Sequence, residues 1–289
     1  MAPQPRIGLQ KGTRSVPRFK DAVISLTTDF GVEDPYVGVM KGVILTVNPE
    51  ATIVDLSHGI PSHDVLAGAL AVLSSCEYFP ANTIHVAVVD PGVGSERRPI
   101  LAITEKYAFL GPDNGVFAPV LRRIKPIDTL HLTEERYFRS PVSQTFHGRD
   151  VFASVAAHLS LGTPPEMFGR TIEDLLPLEW PLPRTIDKQR ISGQVLRVDK
   201  FGNLTTNISA EDLAQSRISR WSIIIRIGNH SITRMCLSYA EAPPGEPFGI
   251  IGSSGLLEIS VNQASAASRL GVGKGQPLEL AARDWLHPG

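Results

Sequence analysis

The chain holds only two cysteines in 289 residues, Cys76 and Cys236. They lie far apart and outside any C-x-x-C spacing, which excludes a disulfide framework and a zinc knuckle and leaves two packed thiols. Charge is also sparse. With 20% charged residues and a formal net charge of -1, the chain has no broad basic footprint for nucleic acid. No run reaches the roughly 18 apolar residues of a transmembrane helix, so no membrane partner is expected. Residues 1–21, rich in Pro, Arg, Lys and Gln, lack the apolar stretch of about 7–15 residues that a secretory signal needs. They read as a disordered tail on a soluble, cytoplasmic protein whose ligand is small. No G-x-S-x-G elbow occurs, which argues against a serine α/β-hydrolase.

What is present is an alternation of apolar strand-like runs with amphipathic stretches, the mark of an α/β layer architecture. Strands are predicted over 22–28, 51–56, 83–90, 99–104 and 108–110, and helices over 34–47, 64–79, 114–124 and 150–161. Asp34, followed by Pro35, is expected to open the first helix. Three prolines between Leu176 and Arg184 fit neither a helix interior nor a central strand. The predicted organisation is therefore an α/β domain with a mainly parallel sheet over 22–174, a Pro-rich linker over 175–189, and a smaller β-barrel-like domain over 190–289. Short alternating runs at 191–198, 222–227, 248–251, 256–261 and 278–281 are its predicted strands.

The most informative tract is VVDPGVGSERRP, Val88 to Pro99, with Asp90 and Arg97 on either side of a glycine turn. The apolar run before it places Asp90 at a strand's C-terminal end, the edge where open α/β sheets bind ligands. Its Gly-Val-Gly-Ser-Glu-Arg has arginine where a dinucleotide fingerprint needs its third glycine, so no Rossmann cofactor site is expected. Asp29 in TTDFG is a second strand-end acid, able to accept hydrogen bonds from two vicinal hydroxyls or to serve as a turn carboxylate. Asp34 has the same choice between capping a helix and binding a ligand ammonium group. His147 in TFHGRD, beside a strand-end carboxylate, is placed to orient or deprotonate water. Further on, Phe201 in DKFGN offers a ring for stacking and Asn203 an amide for reading a heterocycle's edge.

TTDFG, the DPGVGSERRP turn, GPDNG at 111–115, TFHGRD, DKFGNLTTNI and GSSGLLEISVN occur in an order that resembles the S-adenosylmethionine hydroxide adenosyltransferases, relatives of the fluorinating and chlorinating enzymes. The likeness runs from about Val23 to Leu280. It implies an α/β domain followed by a β-barrel-like one, in a homotrimer, with S-adenosyl-L-methionine as substrate, adenosine and L-methionine as products, and no cofactor or metal. It also implies that Asp90, Arg97 and His147 handle the water and that Asp29 grips the ribose diol. Asp34 and Ser253 match positions near the methionine end; Asp199, Phe201 and Asn203 match the adenine and ribose side. Where the halogenating relatives carry a tyrosine–serine pair that helps hold halide, this chain has His147-Gly148, and Asp90 replaces a neutral aromatic. The chain thus sides with water over halide. His63 stands where relatives often carry an aromatic.

The implied reaction is attack of water or hydroxide on ribose C5′, expelling neutral methionine from the sulfonium. In-line alignment of the water can remove roughly 7–11 kcal/mol of barrier, and a base adds about 10²–10⁴-fold. Either His147 or Asp90 could take the proton. Two other readings are a metal-dependent hydrolase built on His58, His63, Asp64, Asp90 and His147, whose spacing does not match H-E-x-x-H, and a binding module that holds the ligand without turnover.

Overall fold

The computed structural model describes residues 17–219 and 222–283, and contacts divide the chain into two units, 1–179 and 180–289. Most of the 1–21 segment lies outside the described residues. Its end does not behave as a tail: Phe19 is 1% exposed inside the first core, and Asp21 N–H donates to the Ser160 carbonyl.

The first unit is a seven-stranded sheet between helices. Its strands are β1 (Ile24–Thr28), β2 (Ile53–Ser57), β3 (Ile84–Val88), β4 (Pro99–Ile103), β5 (Ala108–Pro112), β6 (Asp128–Leu132) and β7 (Gly169–Thr171), in the order β2-β1-β3-β5-β4-β6-β7. β2, β1, β3 and β5 are parallel, whereas β4, β6 and β7 join by antiparallel pairing. The sheet is parallel-rich, as expected, with β4, β6 and β7 added as an antiparallel portion. The cause is local, because only a short turn at 104–107 separates β4 from β5, and so short a connection can join only antiparallel strands.

Period-2 alternation sorts the core into two faces. Ile84, Val86 and Val88 of β3 pack with Met40 and Ile44 of α1 (Tyr36–Val47) and Val155 of α4 (Ser154–Ser160). Ala87 faces the other way, in a cluster with Val72 of α2 (Val65–Ser75) and Val120 of α3 (Ala118–Arg123). The helix boundaries differ from expectation where side chains have other partners. α1 starts at Tyr36 without a side-chain cap, so Asp34 lies outside it and is exposed. α2 is capped by Asp64, which accepts from Ala67 N–H at 3.0 Å, but it gives way at Cys76 to a 3₁₀ turn. α3 starts four residues later than Asn114, because Asn114 donates to the Val89 carbonyl and Gly115 has φ +88°. The last helix begins before Asp150, as a π-helical turn over Gly148–Ala153.

The second unit is a curled, half-barrel sheet. Its strands are β8 (Arg184–Asp187), β9 (Arg190–Val198), β10 (Leu204–Ser209), β11 (Ile223–Ile227), β12 (His230–Ile232), β13 (Met235–Cys236), β14 (Pro247–Ile251), β15 (Leu256–Val261) and β16 (Pro277–Ala282). Two short helices, α5 (Ala210–Gln215) and α6 (Ala266–Leu270), close its core. All pairings are antiparallel except β13 with β14. β8 lies inside the 175–189 segment read as a linker. β10 escapes a hydrophobicity reading because its Thr205, Thr206 and Asn207 are buried polar residues that give no apolar alternation.

Candidate active site

The chain runs from β1 through α1 to β2 on one side, then returns to place β3 on β1's other side. That reversal creates a crevice beyond the carboxyl ends of β1 and β3, the place where open α/β sheets bind ligands. Asp29 follows β1 and Asp90 follows β3 by two residues, so both acids reach one cavity of about 290 Å³. His147, His63, Phe30, Tyr36 and Phe146 line it too.

Arg97 joins two of the expected residues. Its Nε donates to Asp90 Oδ1 at 3.0 Å and its Nη2 to Asp90 Oδ2 at 2.5 Å, while Nη2 lies 2.7 Å from His147 Nδ1. The Asp90 and Arg97 side chains are 5% and 7% exposed. A shielded bidentate pair of this kind holds its geometry far better than an exposed one. The guanidinium also sits 5.6 Å over the Phe152 ring. Because a guanidinium only donates, His147 Nδ1 is an acceptor, and the neutral ring carries its proton on Nε2. Burial, and then the positive charge of Arg97, depress the His147 pKa below its ordinary value. Both favour the neutral ring.

The two tracts that supply this trio are pressed together. Gly94 has φ +78°, and a Cβ there would fall 2.3 Å from the Gln144 carbonyl oxygen. Only glycine satisfies both conditions. We expect Gly94→Ala to destabilise the fold by about 1–3 kcal/mol and to lower activity, as the turn moves off residue 144; thermal unfolding and a rate assay check this. On the other side of the loop, buried Asp150 accepts from Arg149 Nε at 2.6 Å and from Ser143 N–H at 2.8 Å. Burial raises the Asp150 pKa, but these hydrogen bonds outweigh it and hold the carboxyl below its ordinary value. Arg149-Asp150 is therefore the brace of the loop that carries His147.

Asp29 Oδ2 accepts from His63 N–H at 2.8 Å, and His63 itself holds a left-handed φ of +65°. Asp34 is exposed outside the cavity lining. Of the residues of the metal-hydrolase reading, His63, Asp90 and His147 share the cavity, but Asp64 caps α2 and His58 is buried between Thr28 and Asp55. Among the described residues no group of three or more His, Cys, Asp or Glu side chains is arranged to hold a metal ion. Sequence reasoning missed Tyr36 and Phe146 as wall residues. With Phe30 they form a trio of rings 5.4–5.9 Å apart; Phe146 lay inside a quoted motif, while Tyr36 gave no signal beyond following Pro35.

In the second unit, Asp199 Oδ1 accepts from Phe201 N–H and Asn203 N–H, and Oδ2 from Asn203 Nδ2 at 2.9 Å. Its carboxylate thus shapes the loop, leaving Phe201 72% exposed and Asn203 buried. Ser253 is exposed on the turn between β14 and β15. Below that turn Glu258 accepts from Tyr239 Oη at 3.0 Å, and its carboxylate lies against Gly252.

Comparison with known proteins finds the SAM hydroxide adenosyltransferase N-terminal domain matched over residues 24–169 and its C-terminal domain over 193–279. An (R)-S-adenosyl-L-methionine hydrolase of Thermus thermophilus is 36% identical over 261 residues, 88% of this chain and 97% of that protein. A fluorinase of Actinoplanes is 26% identical, over 87% of this chain and 95% of its own. The crystal structure of an uncharacterized conserved protein from Thermotoga maritima superposes with a TM-score of 0.84 at 32% identity, covering 90% of this chain and all of that one.

Proposed function

The chain belongs to the SAM hydroxide adenosyltransferase family, and from that premise we propose that it is an S-adenosyl-L-methionine hydrolase, forming adenosine and L-methionine. The observation that carries the site assignment is that Asp90 and His147, which line the cavity, are bridged by the Arg97 guanidinium. Water attacks ribose C5′ from the side opposite the sulfonium. The C5′–S bond breaks, and its electron pair returns to sulfur, so methionine leaves as a neutral thioether without a general acid.

What remains is to hold the water in line and take its proton. His147 Nδ1 is engaged by Arg97, so its Nε2–H donates to the water oxygen and positions it. Asp90 has acceptor lone pairs beyond the two that Arg97 occupies and takes the proton. Asp29 grips the ribose diol, and Asp34 and Ser253 act at the methionine end. Asp199 and Asn203 shape the adenine side while Phe201 stacks on the base. The remaining parts of the reading are a homotrimer with a β-barrel-like C-terminal domain, a cytoplasmic location, and no cofactor.

The test is turnover of S-adenosyl-L-methionine in ¹⁸O-labelled water, with and without chelator and added chloride or fluoride. The expected product is adenosine labelled at its 5′-hydroxyl, formed at the same rate with chelator and without any 5′-halo nucleoside. Asp90 puts negative charge where a halide would have to shed its hydration, whereas water can donate a hydrogen bond to that carboxylate. Unlabelled adenosine or a competitive 5′-halo product overturns the choice of nucleophile. Unchanged ligand in a tight complex makes the chain a binding module.

A further inference from the structure

β1 and β2 run out of step at their carboxyl ends. Leu26 pairs with Asp55 and Thr27 with Ser57, so Leu56 is an inserted residue. Such a bulge bends a strand and re-aims the side chains beyond it. Here it carries His58 alongside Thr28, with both residues buried.

Thr28 Oγ1 lies 2.8 Å from His58 Nδ1, and His58 Nε2 lies 3.0 Å from Asp55 Oδ1. A carboxylate only accepts, so in the neutral His58 ring the proton faces Asp55 from Nε2 and Nδ1 accepts from the Thr28 hydroxyl. The same hydroxyl oxygen accepts from Phe30 N–H at 3.2 Å. At the outer end Lys41 Nζ donates to Asp55 Oδ2 at 2.5 Å. A chain of polar contacts therefore runs from a surface lysine to the backbone beside Asp29: hydrogen bonds at Lys41–Asp55, Thr28–His58 and Phe30–Thr28, joined by the 3.0 Å ion-pair contact between His58 Nε2 and Asp55. The His58 backbone joins the same turn, its carbonyl accepting from Gly31 N–H at 2.9 Å. Five residues on, His63 N–H donates to the Asp29 carboxylate. The 58–63 segment thus begins and ends on the turn that bears Asp29.

We propose that His58, held by Asp55 and Lys41, is a positioning residue that sets the Asp29 carboxylate for the two ribose hydroxyls. Recognition of the ribose diol then depends on the Thr28–His58–Asp55 chain. This rests on the reading of Asp29 as the ribose-binding acid. None of Thr28, His58 and Asp55 lines the cavity, so their effect reaches the ligand through the turn alone.

The test compares binding of adenosine and 2′,3′-dideoxyadenosine to the full-length protein by calorimetry. Thr28→Val keeps the side-chain shape and removes the hydroxyl, and Asp55→Ala cuts the chain at its exposed end, where truncation opens no core cavity. Each is expected to weaken adenosine binding by about tenfold, the scale of one charge-assisted hydrogen bond, while leaving the dideoxy nucleoside unaffected. Thr28→Ser is expected to restore the discrimination. If both nucleosides weaken equally, or the ratio between them stays at the wild-type value, the chain has only a structural role and the proposal fails. Asp29→Ala separates the two layers. Should it abolish discrimination while Thr28→Val and Asp55→Ala keep it, the relay alone is overturned; should Asp29→Ala retain discrimination, the ribose assignment falls and takes the relay with it.

Discussion

Replacing Asp90 by Asn is expected to lower kcat by about 10²–10⁴-fold, the range assigned to a proton acceptor in the transition state. The variant keeps the shape of the side chain and one oxygen for Arg97, and Asp90 sits at a strand end, so the fold should persist. KM should change by no more than about threefold, because the lost interaction is made chiefly in the transition state. Arg97→Ala should fall as far, since it releases both Asp90 and His147. His147→Asn tests the proton assignment. An asparagine can still accept from Arg97, so a positioning role predicts a smaller loss than in Asp90→Asn. The measurement is steady-state kinetics on variants verified as folded by circular dichroism. A larger loss in His147→Asn than in Asp90→Asn would make the histidine the base and refute the assignment to Asp90. Wild-type rates in Asp90→Asn and His147→Asn alike would remove both residues from the proton step.

Stability is expected to decline as the pH falls below about 6.5, and His85 accounts for the largest single share. This residue is 2% exposed in β3, hydrogen-bonded through Nδ1 to Ser25 Oγ at 2.7 Å and surrounded by Phe79, Tyr107 and Phe109. Burial pushes its pKa down from 6.5 to about 4. Between those values the unfolded chain binds the proton and the folded chain does not, so acid favours unfolding. The contribution is fully present above pH 6.5 and is lost progressively down to about pH 4, where the folded ring also protonates. The gap corresponds to roughly 3 kcal/mol, a large part of a typical domain's stability. Burial lowers the pKa values of His131 and His158 as well, so the decline has several contributors of the same sign. His85→Asn retains an acceptor for Ser25 and cannot charge. Urea unfolding at pH 7 and pH 4.5 should show a smaller loss in this variant than in wild type. Equal losses in the two proteins would mean that His85 is already protonated in the folded chain or that it remains neutral in the unfolded one.

Much of the first unit follows from periodicity. The runs at 22–28, 51–56 and 83–90 become β1, β2 and β3 because each is apolar, β-branched and bounded by turn residues. The motif glycines and strand-end acids also carry local information: an aspartate directly after a buried strand stands at the sheet's edge whatever the rest of the chain does. Asp29 and Asp90 were legible in that way. Asp34 was not, since the reasoning that made it a helix cap put Pro35 at the first helical position, whereas Pro35 is itself the boundary residue.

The sequence by itself determined the apolar strands β1 to β3, the acids after β1 and β3 and the glycine turn between Asp90 and Arg97, because strand period and turn chemistry act within a few residues. Only the tertiary structure decided that β3 returns beside β1, which brings Asp29 and Asp90 to one crevice across 61 positions of chain. It alone brought His147 to Arg97, and through that contact put the ring's proton on Nε2. It also threaded His58 between Thr28 and Asp55. These outcomes depend on strand order, on a bulge of one residue and on which donors the fold leaves facing an acceptor. Such non-local pairings carry no signature in the spacing of residues along the chain.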